Sequence, residues 1–128
     1  MDKKMKKKNA DQIFNEFSHL VEKTFIFLEQ NGFKIKKRKP SGHEIGVGYL
    51  RPDIRVEVNY EIGSGPWVTL AKEKNGKWED AFLKERFDKT ESEFLLSNSP
   101  GFSVYAKPRL KKELDIWAKA LRQSLVGE

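Results

Sequence analysis

The hydrophobic pattern is most regular in residues 54–62, where apolar and polar residues alternate without interruption. Successive side chains of a β-strand point to opposite faces, so this alternation predicts a strand with one buried and one solvated face. Such a strand is typical of an antiparallel sheet. The residues expected to face the core are Ile54, Val56, Val58, Tyr60 and Ile62. The residues expected on the outer face are Arg55, Glu57, Asn59 and Glu61.

Two longer segments carry apolar residues at spacings of three and four, which predicts amphipathic helices. The first helix is expected over residues 9–31 and the second from Pro108 to about Val126. The apolar stripe of the first comprises Ile13, Phe14, Phe17, Leu20, Val21, Phe25 and Leu28. The stripe of the second comprises Leu110, Leu114, Trp117, Leu121 and Leu125. Both helices need a broad apolar partner, and the sheet is the obvious one.

Further strands are expected at residues 33–38, 43–50 and 67–72, separated by short turns. Short connections favour pairing of sequential strands. The predicted fold class is therefore α+β: an antiparallel β-meander of about four strands, with the N-terminal and C-terminal helices packed on one face. Residues 73–106 are harder to interpret, with short helical segments expected near residues 81–87 and 91–96. This segment is rich in aromatic residues. Either it folds over the outer sheet face, or that face stays open to a partner.

The net charge of +6 is unevenly distributed along the chain. Residues 1–8 hold five Lys and one Asp, a net +4, and residues 34–39 hold a net +5. The remainder has 15 basic and 18 acidic residues, a net −3. We interpret residues 1–8 as a flexible Lys-rich tail and residues 9–128 as one domain, since 128 residues suit a single core.

The composition excludes several kinds of site. The chain has no cysteine, so it has no disulfide and no thiolate ligand or nucleophile, which suits a reducing, cytoplasmic location. The longest apolar run, residues 25–28, is far shorter than a membrane span, so we expect a soluble protein without membrane contact. His19 and His43 have no partner at a ligand spacing. We therefore expect two surface histidines, no metal and no cofactor.

Glu57 and Glu61 share the outer face and invite comparison with a glycosidase carboxylate pair. Four residues of strand separate their Cα atoms by roughly 13 Å, whereas such pairs need roughly 5–9.5 Å between carboxyl groups. Glu57 could instead work with Glu44 if the strand register allowed it. Gly46 and Gly48 do not form a phosphate loop, but they leave a bare strip on the outer face, where another backbone or ring could lie close.

The outer face has the composition of a protein interface. It combines Arg55, Glu57, Asn59 and Glu61 with Trp67 on the next strand, and Trp and Arg are enriched among residues that dominate binding energy. Since no catalytic constellation is present, we expect a non-enzymatic module that binds another protein through these five residues. Its oligomeric state is left open.

The alternative function is phosphate-backbone binding, because Lys and Arg side chains release counterions from nucleic acids. The residues that would carry it are Lys34, Lys36, Lys37, Arg38 and Lys39, together with the Lys-rich tail. The acidic remainder of the chain is unlike a dedicated nucleic-acid-binding domain. No family-specific motif is present. In architecture alone, a helix, a meander and a closing helix resemble small bacterial immunity or antitoxin-type proteins, which implies a protein partner.

Overall fold

The computed structural model describes residues 10–62, 64–97 and 107–126. The predicted Lys-rich tail, residues 1–8, lies outside the described residues. The helices of this part are α1 (Ala10–Thr24), α2 (Ile26–Gln30), α3 (Lys89–Ser97) and α4 (Lys107–Val126), with a 3₁₀ turn at Leu83–Arg86. The strands are β1 (Lys34–Lys37), β2 (Glu44–Arg51), β3 (Ile54–Glu61), β4 (Gly65–Lys74) and β5 (Lys77–Ala81).

The described strands form one antiparallel sheet in the order β1-β2-β3-β4-β5. This confirms the predicted α+β meander and adds a fifth strand to the expected four. The turn between β4 and β5 contains Asn75 and Gly76, both with positive φ, at 53° and 79°. A two-residue Asn-Gly loop with this geometry is the favoured hairpin connection, because its twist matches that of the flanking strands.

The first helical segment is interrupted, so the prediction of one continuous helix over residues 9–31 is wrong at Phe25. Phe25 has φ −105° and ψ 21°, outside the helical region, and separates α1 from α2. Its flanking residues, Thr24 and Ile26, are β-branched and therefore poor helix formers. The Phe25 amide still donates to the Val21 carbonyl at 2.8 Å, so the interruption is a local bend. The chain leaves α2 through Gly32, whose φ of 90° suits glycine.

The core lies between one face of the sheet and the helices. Helix α1 contacts β2, and α4 contacts β4 and α1. All seven predicted stripe residues of the first helical segment are buried, as are Leu110, Leu114, Trp117 and Leu121 of α4. The inward residues of β3 are buried except Ile54, which is half-buried at the start of the strand, and Ile62, just after the strand, is half-buried too. Among the described helices, not one combines the length and apolar character that a membrane crossing requires.

The segment after β5 returns to the helical side of the sheet. Leu83 of the 3₁₀ turn is buried and the turn contacts α4. The Phe87 ring meets Trp117 of α4 edge to face, with ring centroids 4.9 Å apart. Helix α3 is tied to α4 by the Lys119 Nζ–Glu91 Oε2 pair at 3.1 Å. Within residues 78–97 the aromatic-rich segment therefore extends the sheet edge and then packs on α4.

Candidate functional site

The outer face of the sheet, meaning the face opposite the helices, is ordered into rows by the strand register. One row contains Leu50, Arg55, Ala71 and Asp80, and the next contains Gly48, Glu57 and Thr69. A third contains Gly46, Asn59 and Trp67, and a fourth contains Glu44, Glu61 and Gly65. The five predicted partner-binding residues thus lie on one face, but they are spread over all four rows.

Arg38 fills the glycine strip at Gly46. Its guanidinium Nη2 donates to the side-chain oxygen of Asn59 at 2.5 Å, and its Nε lies 3.6 Å from Glu57 Oε2. A Cβ atom at Gly46 would collide with this guanidinium, so the glycine makes room for it. Asn59 is only 5% exposed. The predicted bare strip is therefore occupied at this position by a side chain of the protein itself.

The exposed tryptophan of the face is Trp78 of β5. The Arg55 guanidinium carbon lies 3.9 Å from the centroid of the Trp78 ring, within the range of a cation–π contact. Trp78 is 37% exposed, whereas the predicted Trp67 is half-buried beside Asn59. The aromatic partner of Arg55 thus comes from a strand that the sequence pattern did not reveal.

Two further apolar side chains of this region are exposed. Leu50, directly opposite Arg55 on β2, is 36% exposed. Phe82, which follows β5 in an extended conformation, is 71% exposed. We call the exposed side chains of this region the Trp78 corner: Arg55, Trp78 and Leu50, which share the outer face by register, and Phe82, which directly follows β5. Beyond Phe82, the described chain packs on α4: the 3₁₀ turn contacts it, and Arg109 of α4 donates to the Phe94 carbonyl of α3 at 2.8 Å.

The basic run at residues 34–39 is divided between the two faces of its strand. Lys37 Nζ pairs with Glu22 of α1 at 2.6 Å on the helical side. Arg38 is engaged with Asn59 and Glu57, as described above. Lys34, Lys36 and Lys39 are exposed. Two of the five candidate phosphate ligands therefore already have carboxylate partners, and the strand does not present one continuous basic row.

The register does not place Glu44 opposite Glu57, which was the alternative left open for a carboxylate pair. The residue opposite Glu57 on β2 is Gly48, while Glu44 lies opposite Glu61. The two outer-face carboxylates that lie directly opposite each other are therefore Glu44 and Glu61, which form a like-charged cross-strand pair. His19 and His43 are exposed, as expected. Across the described ranges, no group of three or more His, Asp or Glu side chains is arranged to hold a metal ion.

One partly buried carboxylate was not indicated by the sequence pattern. Glu113 of α4 pairs with Arg109 Nη2 at 3.1 Å, and its side chain is 13% exposed. Burial raises the pKa of Glu113, and the Arg109 charge and hydrogen bond only partly oppose this. Burial, followed by the Glu113 charge, raises the pKa of Tyr60 to about 12. The only signal in the sequence was the i,i+4 spacing of Arg109 and Glu113, which is common on solvated helices.

No known family model matches the chain, and neither a curated protein nor a solved structure is significantly similar to it. The fold and the chemistry of its surfaces therefore define the class: an α+β meander with helices on one face and an amphipathic, charged outer face.

Proposed function

We propose that the protein is a non-enzymatic module that binds another protein through the outer face of its sheet, with the Trp78 corner at the centre of contact. The observation that carries this proposal is the Arg55–Trp78 pair, whose guanidinium and ring lie 3.9 Å apart on the outer face. Trp and Arg are the side chains most enriched among binding hot spots. Here they are held together before any partner arrives.

The preorganised geometry of the Arg55–Trp78 pair supports a role for it in binding a protein. Arg55 lies within β3 and Trp78 within β5, so strand backbones fix both side-chain origins. Association costs the entropy of every side chain that it immobilises, and a stacked pair has lost part of that freedom already. Leu50 and Phe82 add exposed apolar area, and Glu57 and Asp80 supply charge around it. An apolar centre with a polar rim is the usual anatomy of an interface.

The five residues predicted from the sequence to bind a partner have different roles in this proposal. Arg55 is central, while Glu57 and Glu61 belong to the polar rim. Asn59 and Trp67 support the face from within, since Asn59 is buried and Trp67 is half-buried. The absence of cysteine suits a cytoplasmic partner. A partner protein also agrees with the architectural resemblance to immunity or antitoxin-type proteins.

Phosphate-backbone binding is the second candidate function, favoured by the exposed Lys34, Lys36 and Lys39. The pairing of Lys37 and Arg38 with carboxylates weakens it, because a paired cation releases fewer counterions. Titration of a fluorescent single-stranded oligonucleotide at 20 and 200 mM salt tests it. Binding that weakens steeply with salt supports this function, and the absence of binding at 20 mM salt contradicts it.

A photo-crosslinking experiment tests the protein-binding proposal. A benzoylphenylalanine at Thr69, which is exposed on the outer face, is compared with one at Asn15, which is exposed on α1. We expect Thr69 to capture one discrete partner in the native cell, and Arg55→Ala to abolish that product. Equal capture from Asn15, or a product that survives Arg55→Ala, contradicts the proposal.

A further inference from the structure

A groove unrelated to the outer face opens at the end of the sheet where β2 turns into β3. It lies between this turn, the end of β4, the region of α2 and the C-terminal part of α4, and its volume is about 570 Å³. Small-molecule sites have volumes of about 300–1,000 Å³. The apolar residues that line it are Phe27, Leu28, Phe33, Ile54 and Leu125. Leu28 and Phe33 are buried, so the floor of the groove is the edge of the hydrophobic core.

Two arginines are held against aromatic rings in this groove. The Arg122 guanidinium carbon lies 4.4 Å from the Phe27 ring centroid, and that of Arg51 lies 5.1 Å from the Phe33 centroid. Arg51 also donates to the Asn31 carbonyl at 3.4 Å. Stacking holds each guanidinium beside apolar surface while leaving its edge N–H groups available, because the ring contacts only the face of the plane.

The charges of the groove favour an anion. Its lining includes the cations Arg51, Lys72, Lys74 and Arg122 but only two carboxylates, Asp53 and Glu73. Across the described residues, neither Arg51 nor Arg122 takes part in an ion pair with a carboxylate. The lining therefore carries a net positive charge, and neither guanidinium is within ion-pair distance of a described carboxylate. Guanidinium is the side-chain group best suited to bidentate recognition of a carboxylate.

From this geometry we propose that the groove binds a small amphipathic organic anion. The apolar body of the ligand lies on Phe27, Phe33 and Leu125, and its carboxylate is held by Arg51 and Arg122. This goes beyond the protein-binding function and does not depend on it, since Arg55 and Trp78 do not line the groove. Two other ligand classes fit the groove less well. A purely apolar ligand would make no bond to the arginines, and a small inorganic anion would make no contact with the apolar floor.

The test uses the fluorescent sulfonate 1-anilinonaphthalene-8-sulfonate as a probe on the full chain. We expect saturable binding that decanoate displaces and decan-1-ol does not. Arg51→Gln and Arg122→Gln should each weaken probe binding at least about tenfold, or about 1.4 kcal/mol, because each removes a charge-assisted hydrogen bond to the sulfonate. Competition by decanoate and by N-acetylphenylalanine distinguishes an aliphatic acid from an aromatic one.

Two control variants locate the probe. Arg55→Gln removes the arginine of the outer face, and Lys111→Gln alters a neighbouring groove between α1 and α4 that Arg122 also lines. Both should bind the probe as the wild type does. Weakening by either control, equal displacement by decan-1-ol, or unchanged binding in an Arg51→Gln/Arg122→Gln double variant overturns the proposal. If Arg122→Gln unfolds, Arg122→Lys keeps the charge and should retain binding better than Arg51→Gln.

Discussion

The guanidinium of Arg38 donates a 2.5 Å hydrogen bond to the side-chain oxygen of Asn59. This bond crosses the outer face of the sheet over Gly46, joining the chain just after β1 to the middle of β3. It supplies a partner to a polar side chain that is only 5% exposed. The glycine strip is therefore part of an internal network, and the open part of the outer face lies toward β5.

The first prediction concerns Gly46→Ala. The added Cβ collides with the Arg38 guanidinium, so we expect the guanidinium to move and Asn59 to lose its bond. A buried polar group left without a partner costs about 1–3 kcal/mol. The free energy of unfolding, measured by urea denaturation, should fall by about 1–2 kcal/mol.

Gly48→Ala is the matched control, because a Cβ there meets only the Lys36 carbonyl, at an ordinary contact distance of 3.4 Å. Ala costs less backbone entropy than Gly in a strand, so this variant should be neutral or more stable by up to about 1 kcal/mol. Arg38→Ala should resemble Gly46→Ala, and the double variant should be little worse than either single one. Full additivity contradicts the proposed network.

The second prediction concerns the like-charged pair Glu44 and Glu61, which lie directly opposite each other on β2 and β3. Directly opposed like charges destabilise a sheet, and opposite charges contribute roughly 0.2–1 kcal/mol. Glu61→Lys should therefore raise the free energy of unfolding by an amount in that range. The double reversal Glu44→Lys/Glu61→Lys restores like charges and should lose the gain. If the double variant keeps it, the effect does not come from this pair.

The third prediction concerns the pH dependence of stability through Glu113. Its folded-state pKa is raised above the ordinary value of 4.5, so the folded protein holds a proton that the unfolded chain has already released. The contribution of Glu113 to stability is therefore fully present below pH 4.5 and is lost as the pH rises through the folded-state pKa.

Glu113→Gln removes this titration while keeping a group that can accept the Arg109 hydrogen bond. Relative to wild type, the variant should therefore become more stable as the pH rises from 4 to 7, when both are followed by thermal unfolding. A constant difference between Glu113→Gln and wild type across this range contradicts the assigned pKa shift.

The regular alternation in residues 54–62 was enough to predict the sheet and the orientation of its central strand. Strand β5 was not predicted because residues 77–80 are exposed on both faces and carry no alternation. The Asn75–Gly76 turn was a usable signal, since this dipeptide commonly joins paired strands. Missing β5 also meant missing Trp78, so the sequence placed Arg55 on the right face but beside the wrong tryptophan.

The helical segment expected near residues 91–96 is part of helix α3, and the start of this helix carries a local sequence signal of its own. Asp88 and Glu91 form a reciprocal capping box: the Glu91 amide donates to Asp88 at 2.7 Å, and the Asp88 amide donates to Glu91 at 2.9 Å. An Asp followed three residues later by Glu is a recognisable helix start. The pairing of Arg38 with Asn59 had no comparable signal, because it depends on strand register and on the space above Gly46.

The measurement that tests the central claim most directly is the affinity of the purified protein for the partner captured from Thr69. Trp78→Ala should weaken binding by about 30-fold, corresponding to a hot-spot loss of about 2 kcal/mol. Ile26→Ala, which removes an exposed apolar side chain from the helical side, should change the affinity less than twofold. Unchanged affinity in Trp78→Ala, or an equal loss in Ile26→Ala, would contradict binding through the Trp78 corner.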